Sequence, residues 1–385
     1  MKRYQYLSIL AISVLFLASC AKEAPIVPGG GTYYPIFNGY MLFSTDVSSR
    51  ATLATDMHNK SFGVLGYQYS PTTNWDTAKA LATPNLFYNQ EVSCNNEGVC
   101  SYEPIKPWED YKYSFFAYHP YATADNGITI SGKDVVGSPT LTYTYPWIKN
   151  NQGQTTISAN TFKNNEICDL MTAEAIDEDG SSNVNLDFKH RFFALEVLAT
   201  NYNESGWKLN EDGTTATDEN GNKIWADASQ YISDLKLSIK GLSYKSMTIP
   251  LSTLSDEPEY IAREMIVWAT DNPNHIVNFM LSDTSVKIPA FNEGGNGYAT
   301  SISKLGTENS NGYLMLIPQS EDLEFTVNWY GNDYVTHNPT AVKSTMSFEP
   351  GKLYQIIINF VGSGITIALI EAGSWQIEDV YHTFE

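Results

Sequence analysis

The sequence predicts an all-β fold of two antiparallel sandwiches in tandem, and three observations carry that expectation. Tyrosine (25) and phenylalanine (17) are abundant, as strands that pack against one another favour. Charged residues make up only 17% of the chain, while 26 glycines suit tight turns between many strands. Apolar residues recur in short alternating or continuous runs, and helical periodicity is scarce. No short-period repeat is visible, so a solenoid or propeller is excluded.

The chain opens with Lys2-Arg3, an apolar run from Leu7 to Ala18 and the tetrad Leu17-Ala18-Ser19-Cys20. Residues 1–20 therefore read as a bacterial lipoprotein signal, cut before Cys20 and acylated there. The run is too short for a stable membrane-spanning helix, and dual or triple acylation anchors a protein far better than one chain does. An ordinary secretory signal with a cysteine at its cleavage site is the alternative. Residues 21–35 carry Pro25, Pro28 and Gly29-Gly30-Gly31, a composition that buries too little apolar surface to order itself, and are expected to be a flexible tether. Lys22-Glu23 resembles a charged sorting signal for the outer surface, or is simply a solvated pair.

About 350 residues remain, enough for two domains by the usual length prior. In the first half, expected strands run from Ile36 to Val47, from Ser61 to Tyr67 with small residues where neighbours approach closely, and from Lys112 to Tyr118, where Pro120 ends an aromatic run. Ile167 to Ala175 follows. Asp177-Glu178-Asp179-Gly180 is polar and turn-forming, so the domains are placed at 36–180 and 181–385. Val184 to Thr200 then reads as one long strand entering a new sheet. Further strands are expected at Tyr231–Ile239, Lys245–Pro250, Met265–Ala269, Ile276–Leu281, Tyr313–Pro318, Glu324–Trp329, Leu353–Phe360 and Ile365–Ile370, with Trp375 beyond. Asn220-Gly221, between Trp207 and Trp225, marks a hairpin turn in a polar insertion.

The formal net charge of -20 repels polyanions, and no basic stripe offsets it, so nucleic acid is excluded as a partner. Of the four cysteines, Cys20 is taken by lipid. Cys94 and Cys100 have the spacing of a disulfide across a hairpin loop, and equally that of two free thiols. No histidine lies near them, so zinc is not expected, and no cofactor or metal is called for. His190 has no nucleophile or carboxylate at a recognisable catalytic spacing and reads as a packed or edge histidine. The chain lacks a Gly-x-Ser-x-Gly elbow, a His-Glu-x-x-His pair and a phosphate loop, so an enzyme is not expected. Asp177, Asp179, Asp212, Asp218 and Glu219 do not follow the calcium-loop pattern and read as solvated acidic turns. Trp75, Trp108, Trp147 and Trp207 lie in polar, loop-like contexts, where exposed rings could stack on sugars.

Several segments together resemble the fimbrillin family, the subunits and accessory proteins of type V pili and their surface-lipoprotein relatives. They are Ser49-Arg50 before Ser61-Phe62-Gly63-Val64, Tyr113-Ser114-Phe115-Phe116-Ala117-Tyr118-His119-Pro120, and Asp169-Leu170-Met171-Thr172-Ala173. Val184-Asn185-Leu186-Asp187-Phe188-Lys189-His190, Leu316-Ile317-Pro318-Gln319 and Pro350-Gly351-Lys352-Leu353-Tyr354 complete the series across nearly the whole mature chain.

The resemblance implies two transthyretin-like β-sandwich domains and assembly by donor-strand exchange. In polymerising members an arginine-specific protease removes the first strand, and a neighbouring subunit's strand fills the exposed groove. Carried onto this sequence, Ile36–Ser49 is the displaced strand, Arg50-Ala51 the cut site and Ile365–Glu385 the donor; an ordinary surface-loop arginine is the alternative for Arg50. The implied role is a structural or adhesive pilus component at the cell surface, lipid-anchored in the outer membrane or built into the fimbrium. Its partners would be other pilus subunits, with a host protein or glycan possible at a tip. The competing reading is a cell-surface glycan-binding lipoprotein. Under either, Cys20→Ala should abolish membrane attachment, because the acidic body offers no anchor. Fatty-acid label still incorporated by the Cys20→Ala protein would overturn the lipidation reading.

Overall fold

The computed structural model describes residues 43–47, 57–146, 156–157, 161–163, 168–180, 183–203, 206–224, 226, 228–252, 260–282, 285–290, 300–301, 313–331, 336–337, 341–361 and 364–374. Strands dominate. In the first half they are β1 (Phe43–Val47), β2 (Ser61–Tyr69), β3 (Phe87–Cys94), β4 (Cys100–Ser101), β5 (Lys112–His119), β6 (Ile128–Ile130), β7 (Thr140–Thr144), β8 (Thr156–Ile157), β9 (Thr161–Lys163) and β10 (Met171–Glu178), with one short helix, α1 (Trp75–Ala78), between β2 and β3. Next come β11 (Val184–His190), β12 (Phe193–Asn201), β13 (Gln230–Lys240), β14 (Tyr244–Pro250), β15 (Ala262–Met265), β16 (Val267–Trp268), β17 (Ile276–Ser282) and β18 (Val286–Ile288). The last are β19 (Thr300–Ser301), β20 (Leu314–Leu316), β21 (Leu323–Tyr330), β22 (Thr336–His337), β23 (Val342–Ser344), β24 (Lys352–Val361) and β25 (Gly364–Ser374).

Among the described residues, the first sheet has the order β1-β11-β10-β5-β2-β3-β4. Its centre, β5, is buried on both faces: Tyr113, Phe115 and Ala117 enter one apolar cluster, while Phe116 and Tyr118 enter another. A strand covered on both sides reads as a continuous apolar run, and KYSFFAYH does so. Beside it, Gly63 and Gly66 of β2 leave room for large rings. A Cβ on Gly63 would collide with the Tyr118 ring, and one on Gly66 would lie 2.6 Å from Phe87 Cδ2.

A second sheet places β19, β12, β24 and β25 in order, with β20 also on β12. A third runs β22-β21-β13-β17-β9, with β18 on β13 and β23 on β21. Their facing residues share one core, in which the Phe193 and Phe348 centroids lie 4.8 Å apart and Trp329 meets Phe360 edge-on at 6.0 Å. A smaller sheet, β15-β14-β7-β6, extends the same core through Leu141, Tyr143, Met247 and Ile249. Most pairings are antiparallel, but β1 with β11, β12 with β24, β8 with β16 and β9 with β17 run parallel.

The turn expected to separate two domains near residue 180 lies between β10 and β11, which are hydrogen-bonded neighbours: Met171 pairs with His190 and Thr172 with Lys189. Pairing of β7 with β14 also crosses that position. The single strand expected over Val184–Thr200 is instead two, β11 and β12, in different sheets. Arg191 and Phe192 turn the chain from one to the other, and the Arg191 amide donates to the Leu170 carbonyl at 2.8 Å.

At the end of the chain, β24 aligns Ile356 with Leu369, Ile358 with Ile367 and Phe360 with Ile365 of β25. Ile356, Ile358 and Phe360 are buried, while their partners on β25, an edge strand, are half-buried. The period-two set therefore divides by position in the sheet. Ile358→Ala should cost ~2–5 kcal/mol, the range for a fully buried aliphatic side chain, and Ile367→Ala distinctly less. Equal losses in denaturant unfolding would contradict this division.

Candidate functional site

A sheet edge is where a chain can pair with another strand, and β1 stands at one edge of the first sheet. β1 is a five-residue edge strand whose ladder partner is β11, in register Phe43 with Val184 through Val47 with Phe188. Val184, Leu186 and Phe188 of β11 are buried and alternate with outward Asn185 and Asp187. They form the floor of an inner core with Phe62, whose ring meets Phe188 edge-on at 5.3 Å. The first sheet curls so that its two ends, β1 and β4, come within 8 Å between Cα atoms. A short strand thus lies between a long neighbour and the opposite edge of its own sheet.

The opposite edge is fixed by the hairpin β3–β4. Cys94 and Cys100 pair in register and their sulfurs are 2.06 Å apart, joined as a disulfide. The tip is folded by Asn95, whose Oδ1 accepts from the amides of Glu97 and Val99 at 2.9 Å each. Of the other residues singled out in the sequence, Cys20, Arg50 and Ala51 lie outside the described residues, as does Trp147.

Trp75 and Trp108 are 4% and 3% exposed, so they are core residues and not sugar platforms. The Trp75 ring packs against Tyr67 at 4.8 Å and Trp108 against Tyr113 at 5.0 Å. Trp207 is 39% exposed, with Lys223 Nζ 5.1 Å from its ring centroid in the polar insertion. Asn220-Gly221 does form a turn there, with Gly221 at φ 82° and its amide donating to the Asp218 carbonyl. Asp212 and Asp218 are exposed turn residues that accept from the Thr214 hydroxyl and the Asn222 side chain respectively, and from nearby backbone amides, which holds both carboxyls below the usual aspartate range.

Asp177 departs from the expected solvated turn. It sits within β10 at φ 60°, where the register shifts, and its Oδ1 accepts from the Tyr69 hydroxyl at 2.7 Å and the Trp75 amide at 2.8 Å. It therefore ties β2, α1 and β10 together. His190 is buried, as expected, but a carboxylate reaches it: Asp169 Oδ1 accepts from Nδ1 at 2.6 Å. Beside it, Arg191 Nε donates to Thr172 Oγ1 at 2.5 Å. These contacts join residues about 20 apart and pin the corner where the chain leaves the first sheet.

A further titratable group lies on β10. Burial raises the Glu174 carboxyl from its ordinary 4.5 to about 7, against the opposing pull of Arg191 and Lys189, and its Oε2 is buried without a hydrogen bond. Burial lowers His119 from 6.5 to about 4. Between pH 4.5 and 7 the folded chain holds more proton on Glu174 than the unfolded chain, so this group's contribution to stability falls as pH rises through that window. His119 acts oppositely, costing stability as pH falls from 6.5 towards 4.

The described architecture is thus that of an all-β protein of packed mixed sheets whose first sheet closes on a short edge strand. Residues 49–379 match the fimbrillin-like family, and the chain belongs to it. A fimbrium subunit, Fim1C of Phocaeicola vulgatus, is 30% identical over 145 residues, covering 35% of this chain; the match spans 37% of that relative's length. The crystal structure of a fimbrial protein from Bacteroides vulgatus shares the fold, with a TM-score of 0.57 at 18% identity, over 88% of this chain and 100% of that one.

Glu174→Gln should be more stable than the parent at pH 8, with the gap closing towards pH 4.5. Melting temperatures across that range test this; a gap that does not change with pH would mean that Glu174 titrates normally.

Proposed function

We propose that the protein is a structural or adhesive component of a type V pilus, held at the outer surface by lipid on Cys20 until proteolysis gates its assembly. The observation that carries this reading is the position of β1: a five-residue strand at the edge of the first sheet, laddered to β11, with only Ser48-Ser49 between its end and Arg50-Ala51 in sequence. Removing such a strand bares the outer backbone ladder of β11 from Val184 to Phe188. An extended strand from another subunit restores that ladder through main-chain hydrogen bonds, its side chains alternating between the two sides of the sheet. Family membership and the similarity to a fimbrium subunit support the same reading.

The donor role falls to the C-terminal stretch Ile365–Glu385. Its first part, within β25, is laddered to β24 of its own chain from Val361–Gly364 to Lys352–Ser374, so donation requires peeling this edge strand or using the residues after it. Other pilus subunits are the partners, and no enzymatic step is part of the role. The covalent link through Arg50 keeps β1 at high effective concentration beside its groove, and cleavage removes that advantage.

Arg50→Ala should give a folded, lipidated monomer that does not extend fibres. Native protein treated with an arginine-specific protease should form oligomers whose size grows with concentration. Fibres growing from Arg50→Ala would rule out cleavage gating, and cleanly cut protein that stays monomeric would rule out self-assembly by this route.

A further inference from the structure

The cystine in the β3–β4 hairpin stands at the end of the first sheet that comes close to β1. β4 is two residues long, and its ladder with β3 consists of Ser93 with Ser101 and Cys94 with Cys100. Pairing so short is marginal by itself. The disulfide bridges the second of those pairs and adds a covalent tie to a hairpin whose tip is also held by the Asn59 amide on the Asn95 carbonyl at 3.1 Å. Both half-cystines are buried in the inner core with Val92, Tyr102 and Phe62, so the bond also fixes that part of the core. On its outer side β4 faces the other end of the curled sheet, which is β1.

We propose that β4, clamped by Cys94–Cys100, is the second wall of the slot, and that the disulfide sets how tightly the slot holds an extended strand. With the clamp closed, a strand lying along β11 is confined on both sides. With it open, β4 is held by its two-residue ladder and the hydrogen bonds of the hairpin tip alone, so it opens more readily and the strand keeps its β11 ladder with less confinement. The slot is then tight in an oxidising compartment and loose under reduction. The clamp's effect on β1 stands without any role in a pilus; its extension to an incoming strand rests on the pilus reading above.

Hydrogen exchange followed by mass spectrometry on the full chain tests the clamp. Three samples are compared: the oxidised protein, the protein in dithiothreitol and the Cys94→Ser/Cys100→Ser variant. Dithiothreitol supplies two electrons and two protons, cleaving the S–S bond to two thiols while it closes to its own cyclic disulfide. Amides of residues 43–47 should exchange about tenfold faster or more in both altered samples, with β12 and β24 unchanged, because the opening is local. Unchanged exchange at 43–47 overturns the proposal. So does loss of protection throughout β12 and β24, which would make the cystine a global stabiliser. A second arm uses protein cut after Arg50 and a peptide of residues 365–385. Faster binding to the reduced than to the oxidised protein extends the clamp to exchange, and equal rates overturn that extension. No binding to either form counts against strand exchange itself, while the result at 43–47 still decides the clamp.

Discussion

The aromatic strand β5 presents large side chains to both sides, and each side must be covered by a different set of partners. Phe115 with Tyr113 faces the inner core that ends in Phe188, whereas Phe116 with Tyr118 faces the cluster that continues through Tyr143 to Leu195 and Phe325. Without β5 the two apolar clusters lose their common wall. Burying a strand twice also buries its polar atoms, and these must find partners. Ser114 lies 2.6 Å from the Tyr69 oxygen and accepts from the Asp177 amide, while the Tyr118 hydroxyl donates to Asn89. The Tyr113 oxygen accepts from the Glu109 amide at 3.0 Å. Each of these tethers draws a loop or neighbouring strand onto β5.

Burial declines from that centre to the edges. β2, β5 and β12 are almost wholly buried, while β25 exposes part of every described side chain and β4 is two residues long. Edge strands carry unpaired backbone groups and invite pairing with another chain, which natural sheets prevent by shortness, charge or cover. The first sheet uses shortness at both ends and brings those ends together. Local opening is therefore cheapest where strand exchange would need it, and the core strands need not move.

Much of this was legible in the sequence because doubly buried and alternating strands leave a pattern in their own residues. KYSFFAYH, LEFTVNWY and the isoleucines of β24 announce themselves, and the glycines of β2 imply close neighbours. What was not legible depends on partners far along the chain. The break between β11 and β12 contains no glycine or proline; it is held by Asp169 on His190 and Thr172 on Arg191, contacts that appear only once β10 is paired. Asp177 looked like a solvated turn because its neighbours are acidic, yet Tyr69 and Trp75 claim its carboxylate from over 100 residues away. Trp75 and Trp108 sit among polar residues in sequence and inside aromatic clusters in space. The parallel pairings of β1 and β24 carry no local signal either.

The candidate site was partly legible for a related reason. An edge strand before a basic residue and a C-terminal apolar stretch are local features, whereas the wall opposite β1 arises from the curl of the whole sheet. Val184, Leu186 and Phe188 are buried in the inner core, where apolar surface returned to water would cost roughly 25 cal/mol per Å². The outer ladder of β11 is the edge at which a strand pairs, whether it belongs to this chain or, as proposed, to another. On the pilus reading, the equilibrium between the two is set by ladder length and side-chain fit. β1 pairs over five residues, and a longer incoming strand gains pairs that β1 does not make. Favourable exchange thus requires a first strand that is adequate while tethered and inferior once cut, and a short edge strand meets both conditions.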